Sequence, residues 1–357
     1  MKNFASYRHL FLPPRFIEMP TAGLDISDRF LRFVEYKKTS QGFIPYRYAK
    51  KDVPRGVFVG GEIVDKETLI KILIDLKKEY GLRFVKVALP EEKSYLFKLE
   101  LPRATIADVR QAVEFKIEEN VPLKASEVLF DYHVIKDGRD SVNMDIGVSV
   151  VTKSFVDSYI EVLSAADLVP VSFQVETVSV ARAVVPSGDK GAYMVVHIHH
   201  HGTVISIISR GIVQFTTTFP IGGKIITETI AKELSLSFAD AEKKKIEMCY
   251  KENKENLELF SAIANSVSAI KDEVDRAQSY WATHIEGMRE EDTIKQIILC
   301  GRDAAIAGFE KYFTLNFGID VDVANIWTNS FSLNDHVPQI NFVEALDYAV
   351  AAGIALP

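Results

Sequence analysis

The chain reads as an α/β protein in which a β-β-β-α unit occurs twice, giving a two-domain fold with an inserted small α+β subdomain. Residues 193–223, YMVVHIHHHGTVISIISRGIVQFTTTFPIGG, carry the pattern of three strands joined by very short turns, with Ser209-Arg210-Gly211 supplying turn chemistry. Residues 22–48 repeat the plan. Strands at 22–26, 31–36 and 43–48 are joined through the turn Thr39-Ser40-Gln41-Gly42, and a helix from about 65 to 80 follows with Leu69, Leu73 and Leu76 on one face. Asp25 precedes His197 by 172 residues and Gly42 precedes Gly211 by 169, so strands, turn and following helix recur at nearly one offset, as a duplication requires.

Taken in order, residues 1–20 hold no apolar run long enough for a signal peptide or a membrane span, and read as a flexible lead or a partner-binding arm. The first subdomain takes residues 1–85 and is continued by 168–190 and 340–357. The insertion, 86–167, opens with strands at 85–89 and 95–101. A helix follows from Thr105, capped with Asp108, whose apolar face is Ile106, Val109, Val113 and Ile117. Strands at 128–135 and 146–151 flank the turn Asp137-Gly138-Arg139-Asp140. A second helix, capped by Ser154 and Asp157, turns Val156, Tyr159, Ile160 and Leu163 to one side. Two helices on a small antiparallel sheet make a self-contained unit, expected to pack against the first half only.

The chain rejoins the scaffold at Val169-Pro170, forms a helix around 178–184, and builds the second subdomain from 191–223 and 290–339. Pro220 ends the three strands, and Gly222-Gly223 open a helix with Ile226, Ile230 and Leu234 inward. Residues 224–289 form a helical subdomain. Ser237 and Asp240 cap one helix, the charged run from 242 to 258 reads as a solvated face, and Phe260, Ile263, Val267, Ile270, Val274, Ala277 and Trp281 recur at spacings of three and four along one long amphipathic helix. Packing on the second sheet explains that stripe more simply than a partner helix. A strand at 297–300 ends at Gly301.

At 357 residues the chain is long enough for more than one domain and a well-buried core. Its net charge of -7 is made of interspersed signs with no long basic block, which argues against nucleic acid as a partner. Cys249 and Cys300 lack metal-ligand spacing and suggest a reducing compartment, so a cytoplasmic location is expected.

The duplicated unit resembles the actin-like ATPase superfamily, whose halves of ribonuclease H-like topology face each other across a nucleotide cleft. Within it, GLDISDRFLRFVEY at 23, VALPEEKSYLFKLELP, VRQAVEFKIEENVPLKASEVLFDYHVI, FVDSYIEVLSAADLVPVSFQVETVSVARAV, FPIGGKIITETIAKELSLSFADAEKKK, GFEKYFTLNFGIDVDVANIW and EALDYAVAAGIAL are similar to the PilM family of pilus-assembly proteins, relatives of the FtsA cell-division family. That resemblance spans nearly the whole chain. It implies an inserted subdomain that contacts neighbours, and a nucleotide site built from two hairpin loops that hold Mg-ATP.

Set against that site, the motifs here are degraded. Asp25 matches the first metal-holding aspartate, and Arg32 falls where a phosphate-facing lysine is expected, but Ser27-Asp28-Arg29-Phe30 replaces a run of small residues. In the second loop His197-Ile198-His199 stands for Asp-Ile-Gly, so the second carboxylate is gone, while Gly202 and Thr203 survive. Gly222, Gly223 and Gly301 keep glycine positions of the site, yet Gly301-Arg302-Asp303-Ala304 places an arginine towards the adenine or ribose pocket. Glu176 matches the water-orienting position. His197, His199 and His201 alternate, which raises a metal reading. Same-face neighbours on a strand lie close to 7 Å apart, wide for three ligands on one ion, and no Cys or carboxylate companion is evident, so no metal and no catalytic residue is assigned.

The resemblance with degraded motifs implies a scaffold without ATP as cofactor, recruiting the cytoplasmic tail of a single-span, PilN-like membrane protein at the inner face of a type IV pilus or related secretion platform. Self-association into rings or filaments is a further expectation. The alternative is a working ATPase that binds Mg-ATP and polymerises or switches.

Overall fold

The computed structural model describes residues 19–102, 106–136, 143–250, 254–284 and 292–357. In the first half β1 (Thr21–Ile26), β2 (Phe30–Thr39) and β3 (Gly42–Asp52) form an antiparallel meander. A small hairpin, β4 (Phe58–Val59) and β5 (Glu62–Ile63), leads into α1 (Lys66–Tyr80). Asp65 caps α1 by accepting a hydrogen bond from the Thr68 amide at 3.0 Å, and Gly81 ends it at φ 65°, a left-handed conformation that suits glycine. β6 (Phe84–Leu89) then returns parallel to β1.

Next come β7 (Ser94–Pro102), α2 (Ile106–Asn120), β8 (Val128–Lys136), β9 (Asn143–Thr152), α3 (Lys153–Ala165), β10 (Val169–Val175) and α4 (Glu176–Val184). The second half holds β11 (Ala192–Ile198), β12 (Thr203–Ser209), β13 (Ile212–Phe219), α5 (Gly223–Glu233), α6 (Phe238–Tyr250), α7 (Lys254–His284), β14 (Ile294–Cys300), α8 (Phe309–Phe317) and β15 (Asp320–Val323). α9 (Phe342–Ala345) and α10 (Ala349–Ala355) return to the first half.

The two five-stranded sheets are separate and share one plan. The first runs β10-β6-β1-β2-β3 and the second β15-β14-β11-β12-β13, with matching antiparallel and parallel pairings. The expected duplication is therefore present as two facing sheets. β1 and β11 are central and buried on both faces, which is why they read as near-continuous apolar runs.

Between the sheets lie α4 and α10, in a core shared by both halves. Val180, Ala183 and Val184 of α4 and Ala351, Ala352 and Ile354 of α10 join Tyr193, Val195 and Ile298 of the second sheet there. Small residues set the spacing. A methyl group on Gly23 would strike the α10 backbone at Ala351 and Ala355, and one on Gly353 would strike the carbonyl of Ser179.

The insertion is smaller than its expected span of 86–167. β6 belongs to the first sheet, pairing with β1 and β10, because its residues Val85, Val87 and Leu89 are buried in the first-half core. α3 leaves the insertion too. Phe155, Val156, Tyr159, Val162 and Leu163 pack with Leu69, Leu73 and Leu76 of α1, and Thr152 caps the helix in place of Ser154, accepting from the Phe155 amide at 3.3 Å. What remains is the sheet β7-β9-β8 covered by α2, whose Val109, Val113 and Ile117 meet Ile146, Val148 and Val150. Thr105 and the turn at 137–140 lie outside the described residues. The unit also touches more than the first half, since β7 and β9 approach β13.

The helices of 224–289 do not close a core of their own. Ile226, Ile230, Ile263, Val267, Ile270, Val274 and Trp281 share one core with Met194, Val196 and Ile205 of the second sheet, so the α7 stripe is core packing. Leu234 lies past the end of α5 and is exposed.

Candidate functional site

A cleft of about 260 Å³ opens where β1 and β11 end, walled by the β1–β2 and β11–β12 turns, the start of α4, α6, and the segments after β14 and α9. The pairing of equivalent strands delivers Asp25 and His197 to opposite walls. Carboxylates lining it are Asp25, Asp28, Glu92, Glu176, Glu242, Asp303 and Asp347, and cations are Arg29, Arg32, Lys50, Lys245 and Arg302. Four of these cations, Arg32, Lys50, Lys245 and Arg302, are paired with carboxylates of the cleft.

Asp25 is 6% exposed and pairs with Arg32 at 3.3 Å. Burial pushes its carboxyl above the usual range, and Arg32 pulls it back only in part. Arg32 also reaches the Asp347 carboxylate at 3.8 Å, Lys50 meets Asp347 at 3.0 Å, and Arg302 pairs with the same group. Burial alone would raise Asp347; Arg32, Lys50 and Arg302 overcome it and hold the carboxyl below its ordinary value. Arg302 thus lines the cleft paired with Asp347.

The histidine turn fills the opposite wall. The His197 and His199 rings lie 3.9 Å apart, and both are kept neutral: burial drives each pKa down, that of His199 to about 4. His199 Nε2 sits 3.6 Å from Glu176, whose own pKa is pushed well up by burial and by Glu92, Asp25 and Glu91. His200 lies 3.5 Å from Arg29, and His201 3.6 Å from Asp28. His197 alone of the three alternating histidines lies on β11, and the chain bends after Ile198, so the one strand face expected to present them does not form. Among the described residues no group of three or more His, Cys, Asp or Glu is placed to hold a metal ion.

The glycines and threonine singled out from sequence serve backbone packing. The amides of Gly223 and Lys224, which open α5, donate to the carbonyls of His199 and His200 at 2.8 and 2.7 Å. These helix-start donors are thus taken by the chain itself. Thr203 Oγ1 donates to the Ile221 carbonyl at 2.7 Å. A side chain on Gly202 would strike Phe219, one on Gly222 would strike His199, and one on Gly301, at φ 91°, would strike Ile198.

Several cleft residues escaped the sequence reading. Lys245 lies within the run taken for a solvated face, yet it is 1% exposed and bonds to Asp303 at 3.1 Å, Glu242 at 3.2 Å and the Gly223 carbonyl at 3.1 Å. Asp303 and Glu242 hold its ammonium above the ordinary range although burial pulls it down. Ala241, Met248 and Cys249 are buried on the same helix, and that stripe was the available signal for Lys245. Asp347, inside the apolar segment EALDYAVAAGIAL, gave only its charge.

Over residues 23–357 the sequence matches a family model described as type IV pilus assembly protein PilM. No curated protein sequence matches it. Among solved structures it is similar to a chain of a PilM-PilN type IV pilus biogenesis complex, with a TM-score of 0.77 and 19% identity over 94% of this chain and 98% of that one. It is also similar to the ethanolamine utilization protein EutJ from Carboxydothermus hydrogenoformans, with a TM-score of 0.56 and 18% identity over 96% of this chain and 90% of that one. A third neighbour is MreB5 of Spiroplasma citri bound to ADP, with a TM-score of 0.56 and 14% identity over 94% of both chains. With the two matched sheets, these likenesses make the fold actin-like.

Proposed function

The chain belongs to the PilM family of type IV pilus assembly proteins, and from that premise we propose that it is an actin-like scaffold on the cytoplasmic face of the pilus machinery, holding the tail of a PilN-like membrane protein and not turning over ATP. One observation carries the second part. The groups that the resemblance would turn to a Mg-nucleotide are engaged by the protein itself: Asp25 by Arg32, and the α5 amides by the histidine turn. A ligand would have to break one charge-assisted pair worth roughly 1.5–3 kcal/mol and two backbone bonds worth about 1 kcal/mol each before forming its own, which is enough to move a micromolar site towards millimolar.

The tail would lie between the scaffold and the inserted unit. A cavity of about 580 Å³ opens there, lined by Leu96, Tyr132 and Val134 of the inserted sheet, Val178 and Arg182 of α4, and Val213 of the edge strand β13. An extended peptide gains main-chain hydrogen bonds from an edge strand and specificity from apolar pockets beside it. Among the described residues no helix is long and apolar enough to cross a membrane, so attachment would come through this partner.

Calorimetry on the purified protein tests both parts. Titration with Mg-ATP at neutral pH should give no saturable heat below about 1 mM, whereas a peptide of the partner's cytoplasmic tail should bind, and Val178→Asp should abolish that binding. Micromolar ATP affinity that Asp25→Ala removes would restore the ATPase reading.

A further inference from the structure

We infer that the end of the first sheet away from the cleft is a membrane-facing surface, which meets the anionic headgroups of a bilayer directly. Charge along the chain points there. Residues 1–90 hold 17 Lys and Arg against 10 Asp and Glu, a net charge of +7, whereas residues 91–357 hold 25 against 39, a net charge of -14. A molecule so divided turns its first sheet towards a negative surface and the remainder away from it.

Strand register gathers cations at one end of that sheet. Thr21 and Val169 both lie beside Phe84, and Ala22 lies beside Glu35, so β1, β6 and β10 begin together where β2 ends, opposite the strand ends that open the cleft. Lys37, Lys38 and Arg83 are exposed there. The carboxylates next to them are engaged: Glu35 is buried and pairs with Arg47 at 2.5 Å, and Asp167 pairs with Lys77. Lys37 and Lys38 make no ion pair among the described residues.

Apolar groups stand among the cations. Met19 and Val169 are exposed at this end, and Tyr46 is 60% exposed, with Lys37 Nζ 5.8 Å and the Arg47 guanidinium 5.4 Å from its ring centre. Cations beside an exposed tyrosine suit the headgroup region, where the ring sits at the polar boundary and the charges meet phosphate. An acidic protein would use the cations and leave the scattered apolar side chains in water. The contact adds to the tether proposed above a salt-sensitive one that fixes which face looks at the membrane, and it stands whether or not the tail binds.

Co-sedimentation of the full chain with lipid vesicles tests it. At low salt the protein should pellet with phosphatidylcholine vesicles containing about a third phosphatidylglycerol and not with phosphatidylcholine alone, and about 0.5 M NaCl should release it. Lys37→Glu combined with Lys38→Glu should weaken binding at least about tenfold, and Tyr46→Ser about threefold. Both lysines are exposed, so the double variant should keep the wild-type melting temperature; if it unfolds, Lys37→Gln with Lys38→Gln decides. Residues 1–18 keep Lys2, Arg8 and Arg15 in every variant, so undiminished binding would place the contact on that segment and overturn the sheet-end surface. Failure to pellet with anionic vesicles at low salt overturns it, as does equal binding to neutral ones. Binding to polyglutamate without binding to anionic vesicles would make the partner an acidic protein and overturn it as well.

Discussion

A neutral imidazole in a buried wall makes stability depend on pH in a direction that can be worked out for each residue. His199 titrates at about 4 when folded against about 6.5 when unfolded. As pH falls from 6.5 towards 4, the unfolded chain takes up a proton that the folded residue refuses, so stability is lost across that window. Glu176 acts with the opposite sign. Its raised pKa lets the folded form keep a proton that the unfolded chain releases above about 4.5, so it adds stability as pH falls through its folded value. The difference between variants isolates the terms. Between pH 7 and 5 wild-type protein should lose about 1–2 kcal/mol more than His199→Asn, a figure discounted because the His199 side chain is 28% exposed. Urea unfolding at both pH values measures this, and equal losses would mean that His199 is protonated in the fold. In the sequence the run of histidines showed a lost carboxylate but gave neither their burial nor their partners.

Elements were read better than their neighbours. The α7 stripe and the Leu69, Leu73 and Leu76 face of α1 stood in the sequence because helical period is local. α3 showed the same clarity of face, yet the face alone could not say that α1 rather than the inserted sheet would cover it. α10 is the extreme case, a short run of small residues whose meaning is contact. Gly353→Ala places a methyl against the Ser179 carbonyl, backbone that cannot swing aside, so α10 must move off α4. The expected loss is roughly 1–3 kcal/mol, read as a fall of several degrees in the melting temperature. An unchanged melting temperature would show that the packing there has slack.

For the whole molecule, the sequence yielded the duplicated halves and the existence of an insertion, because strand periodicity and turn spacing survive divergence. It misplaced the insertion's borders because they depend on pairing. Ser94 and Val151 face each other where the inserted unit begins and ends, so the chain leaves and re-enters the scaffold at one point. Replacing 95–150 by a short Gly-Ser linker should therefore leave a cooperatively folding scaffold that no longer binds the tail peptide. Aggregation of that protein, or retained binding, would show that the unit is part of the scaffold's core or not part of the groove.

α10 fills a slot between β1 and α4, and in the order of synthesis β1 is among the first described strands to be made and α10 the last helix. While the chain is growing, β1 and α4 are complete but the slot between them is vacant, lined by Gly23 and the Ser179 carbonyl with apolar side chains around them. The first half of this protein must wait on the ribosome, half-closed, until the second half has been made.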